Sequence, residues 1–338
     1  HAECSYLFYQ ASDNNLDGNQ ENDRSEMRQI GSTNLVNAVV FTDRNPFAVD
    51  PIAKVRYVKK NSENVLLNLG EANSGDGKTL EDFIAVALEL YPSKRTVIDY
   101  NDHGAGWRRL CQDVSNGNDW INYTELKTAL TNVNKRFNLH VFSTCLMGQL
   151  EVAYLLRNFG NYMVGSEETM DVPSFEYNKV LSNITDNPFV TDAQYARNFV
   201  SMFRNFYGNP AGGWDGTQTL SAIDLSKIQP LANSVNAFAN VMIANFAANA
   251  VNIREARNRT QFFPHPIIQG NSSKYDYRDL GHFATLVNQM VTNPAIQTAA
   301  SDIVSKLNDA VIVNWSGVNH APNATGLSVY LIKHMPSY

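Results

Sequence analysis

The chain has 338 residues, of which 43% are hydrophobic and 18% charged, and its formal net charge is −6. This length allows a large buried core, while the mild acidity and the lack of a basic stripe argue against a nucleic-acid-binding protein. No run approaches the roughly 18 uninterrupted apolar residues of a membrane-spanning helix. We therefore expect a globular protein without a transmembrane segment, whose acidity is compatible with basic substrates but does not require them.

The first half of the sequence alternates between strand and helix patterns. Short apolar runs predict buried strands at 6–10, 36–42, 96–100, 139–142 and 162–165, and a hairpin at 54–59 and 65–69. Capping residues and helical periodicity predict four helices in this half. The first ends at Ile30, the second covers 79–90, the third begins at Asn122 with Glu125 in a capping box, and the fourth covers 146–156. This alternation predicts an α/β fold with a mostly parallel central sheet and helices on both of its faces.

The second half of the sequence is more helical. Predicted helices begin near Thr191, Ser226, Asp279 and Ala295, and the apolar stretch 235–251 predicts a buried helix. Strand patterns occur at 220–223 and at 326–332, and we expect the second of these to return to the main sheet. The simplest organisation is a single domain over 1–338, with a core at 1–180 and a helical C-terminal subdomain at about 185–320.

Two candidate catalytic residues follow consecutive predicted strands. His103 and Gly104 come after strand 96–100, and Cys145 comes after strand 139–142. Functional groups of α/β sheets collect at the carboxyl ends of the strands. If these two strands are neighbours in the sheet, the strand spacing of about 4.8 Å brings the two side chains close together.

A cysteine and a histidine at such a position suit nucleophilic catalysis. The thiolate is the reactive form, and we expect Cys145 to gain from the dipole of the helix predicted after it. His103 can act as the base or as the proton donor, and the N–H groups of Gly104 and Cys145 can form an oxyanion hole. A lone cysteine after a strand is usually a core residue, however, and a lone histidine in a glycine-rich turn is usually structural. The pattern alone therefore leaves catalysis open, and Cys4 and Cys111 are interpreted as structural.

The residues around this pair resemble the clostripain family of caspase-like cysteine peptidases. The similar stretches are His-Gly-Ala-Gly-Trp at 103–107, CLMGQLEVAY at 145–154, YMVGSEET at 162–169, GEANSGDGKTLEDF at 70–83 and GLSVY at 326–330, with shorter ones at 11–16 and 37–44. The resemblance implies a caspase-like fold and a cysteine endopeptidase with His103 and Cys145 as its dyad. It also implies that Gly104 and Cys145 form the oxyanion hole, and that the chemistry needs no cofactor.

One position departs from the family pattern. Family members carry an aspartate two residues before the nucleophile, where it favours Arg or Lys at P1, but this chain has Ser143 there. Because a hydroxyl cannot replace a buried carboxylate facing a cation, the departure predicts a weakened or altered preference for basic P1 residues. Asp171 either compensates from the loop after residue 168 or is an ordinary solvated carboxylate.

The resemblance raises three further expectations. Family members are often activated by cleavage between the catalytic residues, where Arg108 and Arg109 lie, although these also suit a solvated basic pair. Some relatives are stimulated by calcium, and Asp13 and Asp17 are acidic loop residues, but there is no EF-hand and no ligand set can be assigned. Many relatives are exported, which predicts a secreted or cell-envelope protein.

Two other functions compete with the peptidase. The changed residue at position 143 is compatible with a silent or regulatory peptide-binding module on the same scaffold. A transferase that intercepts the thioester with an amine would use the same residues as the hydrolase.

Overall fold

A computed structural model describes residues 1–209, 212, 216, 218–263, 276–319 and 321–331. Its first half contains strands β1 (Ala2–Ser12), β2 (Val36–Arg44), β3 (Ala53–Lys59), β4 (Ser62–Gly70), β5 (Ser93–Asn101), β6 (Leu110–Asp113), β7 (Asp119–Ile121), β8 (Phe137–Ser143) and β9 (Gly160–Gly165). The helices between them are α1 (Asp17–Ile30), α2 (Gly77–Leu90), α3 (Tyr123–Val133) and α4 (Leu150–Leu156). The predicted alternation of strands and helices is confirmed.

The second half is mainly helical. Its helices are α5 (Tyr177–Asp186), α6 (Asp192–Tyr207), α7 (Ile228–Ala244), α8 (Phe246–Arg259), α9 (Leu280–Met290) and α10 (Pro294–Ala310). Its strands are β10 (Thr219–Asp224), β11 (Phe262–Phe263), β12 (Tyr277–Asp279), β13 (Val311–Ser316) and β14 (Ser328–Tyr330). No described helix is long and apolar enough to cross a membrane.

The central sheet has nine strands in the order β13-β10-β9-β8-β5-β1-β2-β3-β4. Its five middle strands, β9, β8, β5, β1 and β2, run parallel to one another. Antiparallel strands extend the sheet at both edges, through β10 and β13 on one side and through β3 and β4 on the other. The predicted mostly parallel α/β sheet is thus present, and the carboxyl ends of its middle strands form the edge at which the sequence predicts the site.

Two hydrophobic cores cover the two faces of the sheet. Successive residues of a strand point to opposite faces, so that Leu7 and Tyr9 pack in one core while Tyr6 and Phe8 pack in the other. The first core is closed by α2, α3, α4 and α7–α10, and the second by α1, α5 and α6. Helices on both faces hold the central strands rigidly at the edge where the site lies.

Several details differ from the sequence-based predictions. Residues 328–330 do not join the main sheet; β14 pairs with β12 in a separate three-stranded sheet with β11, and Ile332 lies outside the described residues. The far edge of the main sheet is instead β13, which the sequence analysis missed. The apolar stretch 235–251 is not one buried helix, because the chain breaks at Asn245 between α7 and α8, and Val251 is 78% exposed.

Candidate active site

The pairing of β5 with β8 brings the two candidate catalytic residues together. Asn101, the last residue of β5, lies opposite Ser143, the last residue of β8, in a parallel ladder. His103 and Cys145 each follow two residues later, at the same edge of the sheet. Both line one cleft of about 260 Å³, so a substrate bound in this cleft would contact the thiol and the imidazole at once.

Cys145 lies in a turn rather than at the start of a helix. Because α4 begins only at Leu150, the prediction that the dipole of this helix stabilises the Cys145 thiolate is wrong. The thiol lies under the backbone of Met170, whose N–H points to Sγ at 3.4 Å and whose carbonyl oxygen is 3.9 Å from it. Burial raises the pKa of Cys145 to about 11, against the opposing effect of the Met170 N–H, and the charges of Glu168 and Asp171 raise it further. The resting residue is therefore a thiol at neutral pH.

His103 is held by a residue that the sequence analysis did not identify. Its Nε2 lies 2.7 Å from Oδ1 of Asn15, in the loop between β1 and α1. An amide oxygen only accepts hydrogen bonds, so Nε2 carries the proton and Nδ1 is left as the basic nitrogen. Burial lowers the pKa of His103, and the positive charge of Arg109 lowers it further. The imidazole is therefore neutral at pH 7 and able to accept a proton.

Gly104 lies between His103 and the backbone of the cysteine turn. A Cβ atom at this position would lie 2.9 Å from the Cys145 carbonyl oxygen and 3.1 Å from Cβ of Thr144, so only glycine fits without a shift. The flanking bonds, from Ala105 N–H to the Arg109 carbonyl and from Cys111 N–H to the His103 carbonyl, are both 3.0 Å. These two bonds lie on either side of Gly104, which therefore forms a non-hydrogen-bonded pair with the residue opposite it. In such a pair, the N–H of Gly104 points away from the opposite segment.

Ser143 is buried and its hydroxyl faces other polar groups of the core. It donates a hydrogen bond of 2.7 Å to Oδ1 of Asp99 and lies 2.7 Å from the Tyr177 hydroxyl. Burial raises the pKa of Asp99 to about 7. With its hydroxyl engaged in this way, Ser143 offers little to a bound side chain, although it lines the cleft.

Three aspartates line the same cleft as Cys145: Asp23, Asp102 and Asp171. Asp171 is exposed and accepts a hydrogen bond from Gln218. Asp23, on α1, is buried and accepts a bond of 3.2 Å from Asn101 Nδ2, and burial raises its pKa well above the ordinary value. The sequence analysis named Asp171 but missed Asp23, because nothing in the local pattern of α1 shows that this face of the helix meets the end of β5.

The two arginines between His103 and Cys145 are stacked on aromatic rings. The Arg108 guanidinium lies 4.9 Å from the Trp107 ring and 5.1 Å from the Tyr330 ring, and that of Arg109 lies 4.0 Å from the Trp120 ring. Both are half-buried, so the interpretation as a solvated basic pair is wrong. The segment that follows them contains β6 of the β6–β7 hairpin.

The two acidic residues that the sequence analysis noted in connection with calcium, Asp13 and Asp17, have different surroundings. Asp17 forms an ion pair with Arg44, at 2.8 Å from Oδ1 to Nε. Asp13 instead lies with Glu71 and Asp113, and one oxygen of each is within 4.8 Å of the others. Only Asp13 of the two therefore belongs to a group of ligands of the kind that calcium prefers.

The model of the clostripain family matches residues 8–338. The chain belongs to the clostripain family. It is 25% identical to clostripain from Hathewaya histolytica over 392 aligned positions, which cover 96% of this chain and 74% of that protein. As a member of this family, the chain is a cysteine peptidase, and the predicted enzyme class is confirmed.

Solved structures of clostripain-family proteases share the fold. A secreted C11 cysteine protease from Bacteroides thetaiotaomicron, bound to an irreversible peptide inhibitor, superimposes with a TM-score of 0.74 at 22% identity and covers 100% of this chain and 95% of that one. An inactive zymogen of a C11 protease from Parabacteroides distasonis gives 0.70 at 20% identity, with 97% and 92% covered. The caspase-like α/β fold predicted from the sequence is thus confirmed.

Proposed function

We propose that this clostripain-family peptidase is an endopeptidase in which Cys145 is the nucleophile and His103 the proton carrier. The observation that supports this most is the convergence of the two side chains on one cleft, from the ends of neighbouring parallel strands. The thiol proton passes to Nδ1 of His103 as Sγ attacks the scissile carbonyl carbon. The resulting oxyanion accepts hydrogen bonds from the N–H groups of Gly104 and Cys145.

The second half of the reaction returns both residues to their starting state. His103 gives its proton to the departing amine, and the carbon–nitrogen bond breaks to leave a thioester on Cys145. Water then attacks the thioester while His103 accepts its proton, and the carboxylate product leaves as the thiol reforms. A neutral thiol and a neutral imidazole in the resting enzyme fit a proton transfer that accompanies the attack.

We further propose that the enzyme prefers a basic P1 residue and that Asp171 supplies the charge that position 143 lacks. Asp171 is exposed on the wall of the cleft, whereas the hydroxyl of Ser143 is engaged with Asp99. A cationic side chain can form a charge-assisted bond with this carboxylate. Asp23, deeper in the cleft, would regain its charge once a cation approached it.

The test is a panel of fluorogenic peptides that differ only at P1, with Arg, Lys, Gln, Leu and Ala. We expect Asp171→Asn to lower kcat/KM for the Arg and Lys peptides about tenfold, the low end for a charge-assisted bond, and to leave the Leu peptide unchanged. Asp186→Asn, at an exposed aspartate at the end of α5, is the matched control. Cys145→Ala should abolish all cleavage.

The alternatives give distinct results in the same panel. Cleavage of uncharged peptides in preference to basic ones would disprove the role of Asp171 while leaving the dyad in place. If Ser143→Asp fails to improve cleavage after Arg or Lys, position 143 is not the determinant of specificity. Folded protein that cleaves no peptide, even with added calcium, would point to a latent form or to a peptide-binding module.

We also propose that the enzyme acts outside the cytoplasm, because one of its structural relatives is described as secreted. Activation by cleavage at Arg108 or Arg109 remains a prediction. Since both side chains are stacked in the free protein, a cut there requires the segment to detach from its aromatic partners first. Mass spectrometry of the active protein, with the Cys145→Ala variant as control, detects such a cut.

A further inference from the structure

The loop between β1 and α1 carries a side chain that contacts His103 without lining the cleft. Oδ1 of Asn15 lies 2.7 Å from Nε2 of His103. The next residue, Leu16, lines the cleft that also holds Cys145, whereas Asn15 is not among the residues that line it. Asn15 therefore contacts the imidazole and leaves the space of the cleft free for a substrate.

Asn14 fixes the loop that presents Asn15. It is buried, and its Nδ2 donates a hydrogen bond of 2.8 Å to Oδ1 of Asp102. Its Oδ1 accepts a hydrogen bond of 2.9 Å from the N–H of Leu16, on the other side of Asn15 in the sequence. Because Asp102 directly precedes His103, these bonds hold the loop at a defined distance from the histidine.

Two further contacts hold His103 but not its ring nitrogens. Its carbonyl oxygen accepts a bond of 3.0 Å from the Cys111 N–H, and the centroid of its ring lies 6.5 Å from that of the Trp120 ring. In the described part of the chain, the bond with Asn15 is the one hydrogen bond that the imidazole forms. Asn15 is thus the residue that determines how the ring is turned.

The amide of Asn15 is a neutral partner for the imidazole. Because its oxygen accepts from Nε2–H, the proton stays on Nε2 and Nδ1 is left as the base. A carboxylate would fix the same tautomer but would also stabilise the imidazolium. Burial and the charge of Arg109, in contrast, lower the pKa of His103. The surroundings of the ring therefore agree in favouring a neutral imidazole with a free Nδ1.

We propose that Asn15 is a positioning residue of this peptidase, which fixes the tautomer and the orientation of the His103 ring so that Nδ1 receives the thiol proton of Cys145. This role rests on the proposed function, because Asn15 acts on the reaction only through His103. A residue that positions the base without touching the substrate affects kcat and leaves KM unchanged.

The first test compares kcat and KM of Asn15→Ala with those of the parent enzyme. A ring that is free to turn loses its alignment with the thiol, so we expect kcat to fall about 30-fold while KM stays within about twofold. Asn15 is exposed, so the variant should fold with the Tm of the parent protein. Asn34→Ala, at an exposed position before β2, is the matched control and should keep both constants.

The second test uses Asn15→Asp, which restores the acceptor and adds a negative charge. The carboxylate raises the pKa of His103, so the acid limb of the pH profile of kcat/KM should move up by about one pH unit. At pH 8, where the imidazole is neutral in either case, kcat should return to within about threefold of the parent value. Loss of local structure would not produce this recovery.

The tautomer is measured without turnover, in Cys145→Ala protein that contains ¹⁵N-labelled histidine. At pH 8 we expect the ¹⁵N chemical shifts of His103, assigned with His103→Gln, to show the proton on Nε2. The additional change Asn15→Ala should give a mixture of both tautomers, since nothing then holds the proton on one nitrogen.

Any of four results would overturn the role of Asn15. In kinetics, these are an unchanged kcat in Asn15→Ala, a raised KM at unchanged kcat, which would indicate a substrate contact instead, and an Asn15→Asp enzyme as slow as Asn15→Ala at pH 8. In the labelled protein, it is the same His103 tautomer with and without Asn15. If His103→Ala is inactive beside such a result, the proposed function stands, whereas an active His103→Ala would disprove the proposed function itself.

Discussion

Arg109 affects the protonation of His103, the proposed catalytic histidine. The charge of Arg109 adds to burial in lowering the pKa of His103. A lowered pKa keeps the imidazole neutral, and thus able to accept a proton, at more acidic pH. Replacing Arg109 by glutamine should raise the pKa of His103, so that kcat/KM at pH 5.5–6 falls relative to the parent enzyme while the value at pH 8 changes little.

The measurement is the pH profile of kcat/KM between pH 5 and 9, which reports the pKa of the essential base in the free enzyme. Arg108→Gln is a matched control, because it removes the same charge from the adjacent position and another aromatic stack. An acid limb that moves equally in both variants would mean that the effect comes from the lost stacking rather than from the charge on His103.

At the scale of residues, the sequence predicted the positions of the two proposed catalytic groups but not the residues that contact them. His103 and Cys145 could be found because each follows its strand directly and lies in a recognisable local pattern. Asn15 and Asp23 could not, because their contacts with His103 and Asn101 join segments 88 and 78 residues apart. Contacts of this range depend on how α1 and its preceding loop pack on the sheet, and no local pattern contains that information.

At the scale of elements, a pair of buried carboxyl groups joins the segment after β9 to the start of α9. Glu167 is buried and accepts a 2.8 Å bond from Gly326 N–H, and it faces Asp279, the N-cap of α9. Burial, and then the charge of Asp279, raises the pKa of Glu167 well above its ordinary value. Glu167 is therefore protonated in the folded protein at pH values where it is ionised in the unfolded chain.

This raised pKa gives a prediction for stability. The contribution of protonated Glu167 is fully present below the unfolded pKa and is lost as the pH rises toward the folded pKa. Glu167→Gln keeps a neutral group of the same shape, so its Tm should match that of the parent protein near pH 4.5 and exceed it increasingly toward pH 8. Thermal unfolding of Cys145→Ala with and without the change, at several pH values, measures the difference, and Glu89→Gln, at an exposed position of α2, should show none. A Tm that is lower than that of the parent at pH 8 would contradict the protonated state.

Elements were well predicted where their ends carry local signals. Asn122 and Glu125 form the predicted capping box of α3, and Thr191 caps α6 by accepting from the Gln194 N–H. The predictions failed where partners lie far away in the sequence. The strand at 328–330 has the composition of a core strand. Its backbone is hydrogen-bonded to Gly148 and to β12, however, and it therefore does not join the main sheet. The edge strand of the main sheet is instead β13, whose six residues are all half-buried.

At the scale of the whole molecule, the sheet order decides which thiols can be reached. Cys4 lies on β1 in the middle of the nine-stranded sheet, and Cys111 lies on β6, where its N–H donates to the His103 carbonyl; both are fully buried. Burial raises the pKa of Cys4 to about 12 and that of Cys111 well above its ordinary value. Cys145 alone among the three is partly exposed. Labelling of Cys145, Cys111 and Cys4 therefore reports on the candidate active site, the β6–β7 hairpin and the central sheet, respectively.

We expect iodoacetamide to label Cys145 first, then Cys111, and Cys4 last, because exposing Cys4 requires the central sheet to open as a unit. The rate at Cys145 should rise about tenfold per pH unit from pH 7 to 10, since only the thiolate reacts and its pKa is near 11. Mass spectrometry after timed labelling at several pH values gives all three rates, and the Cys145→Ala protein shows whether the slower rates depend on labelling of Cys145.

Labelling of Cys4 as fast as Cys145 would contradict a rigid central sheet. A rate at Cys145 that stops rising below pH 9 would show that the thiol ionises more readily in solution than its burial under Met170 implies.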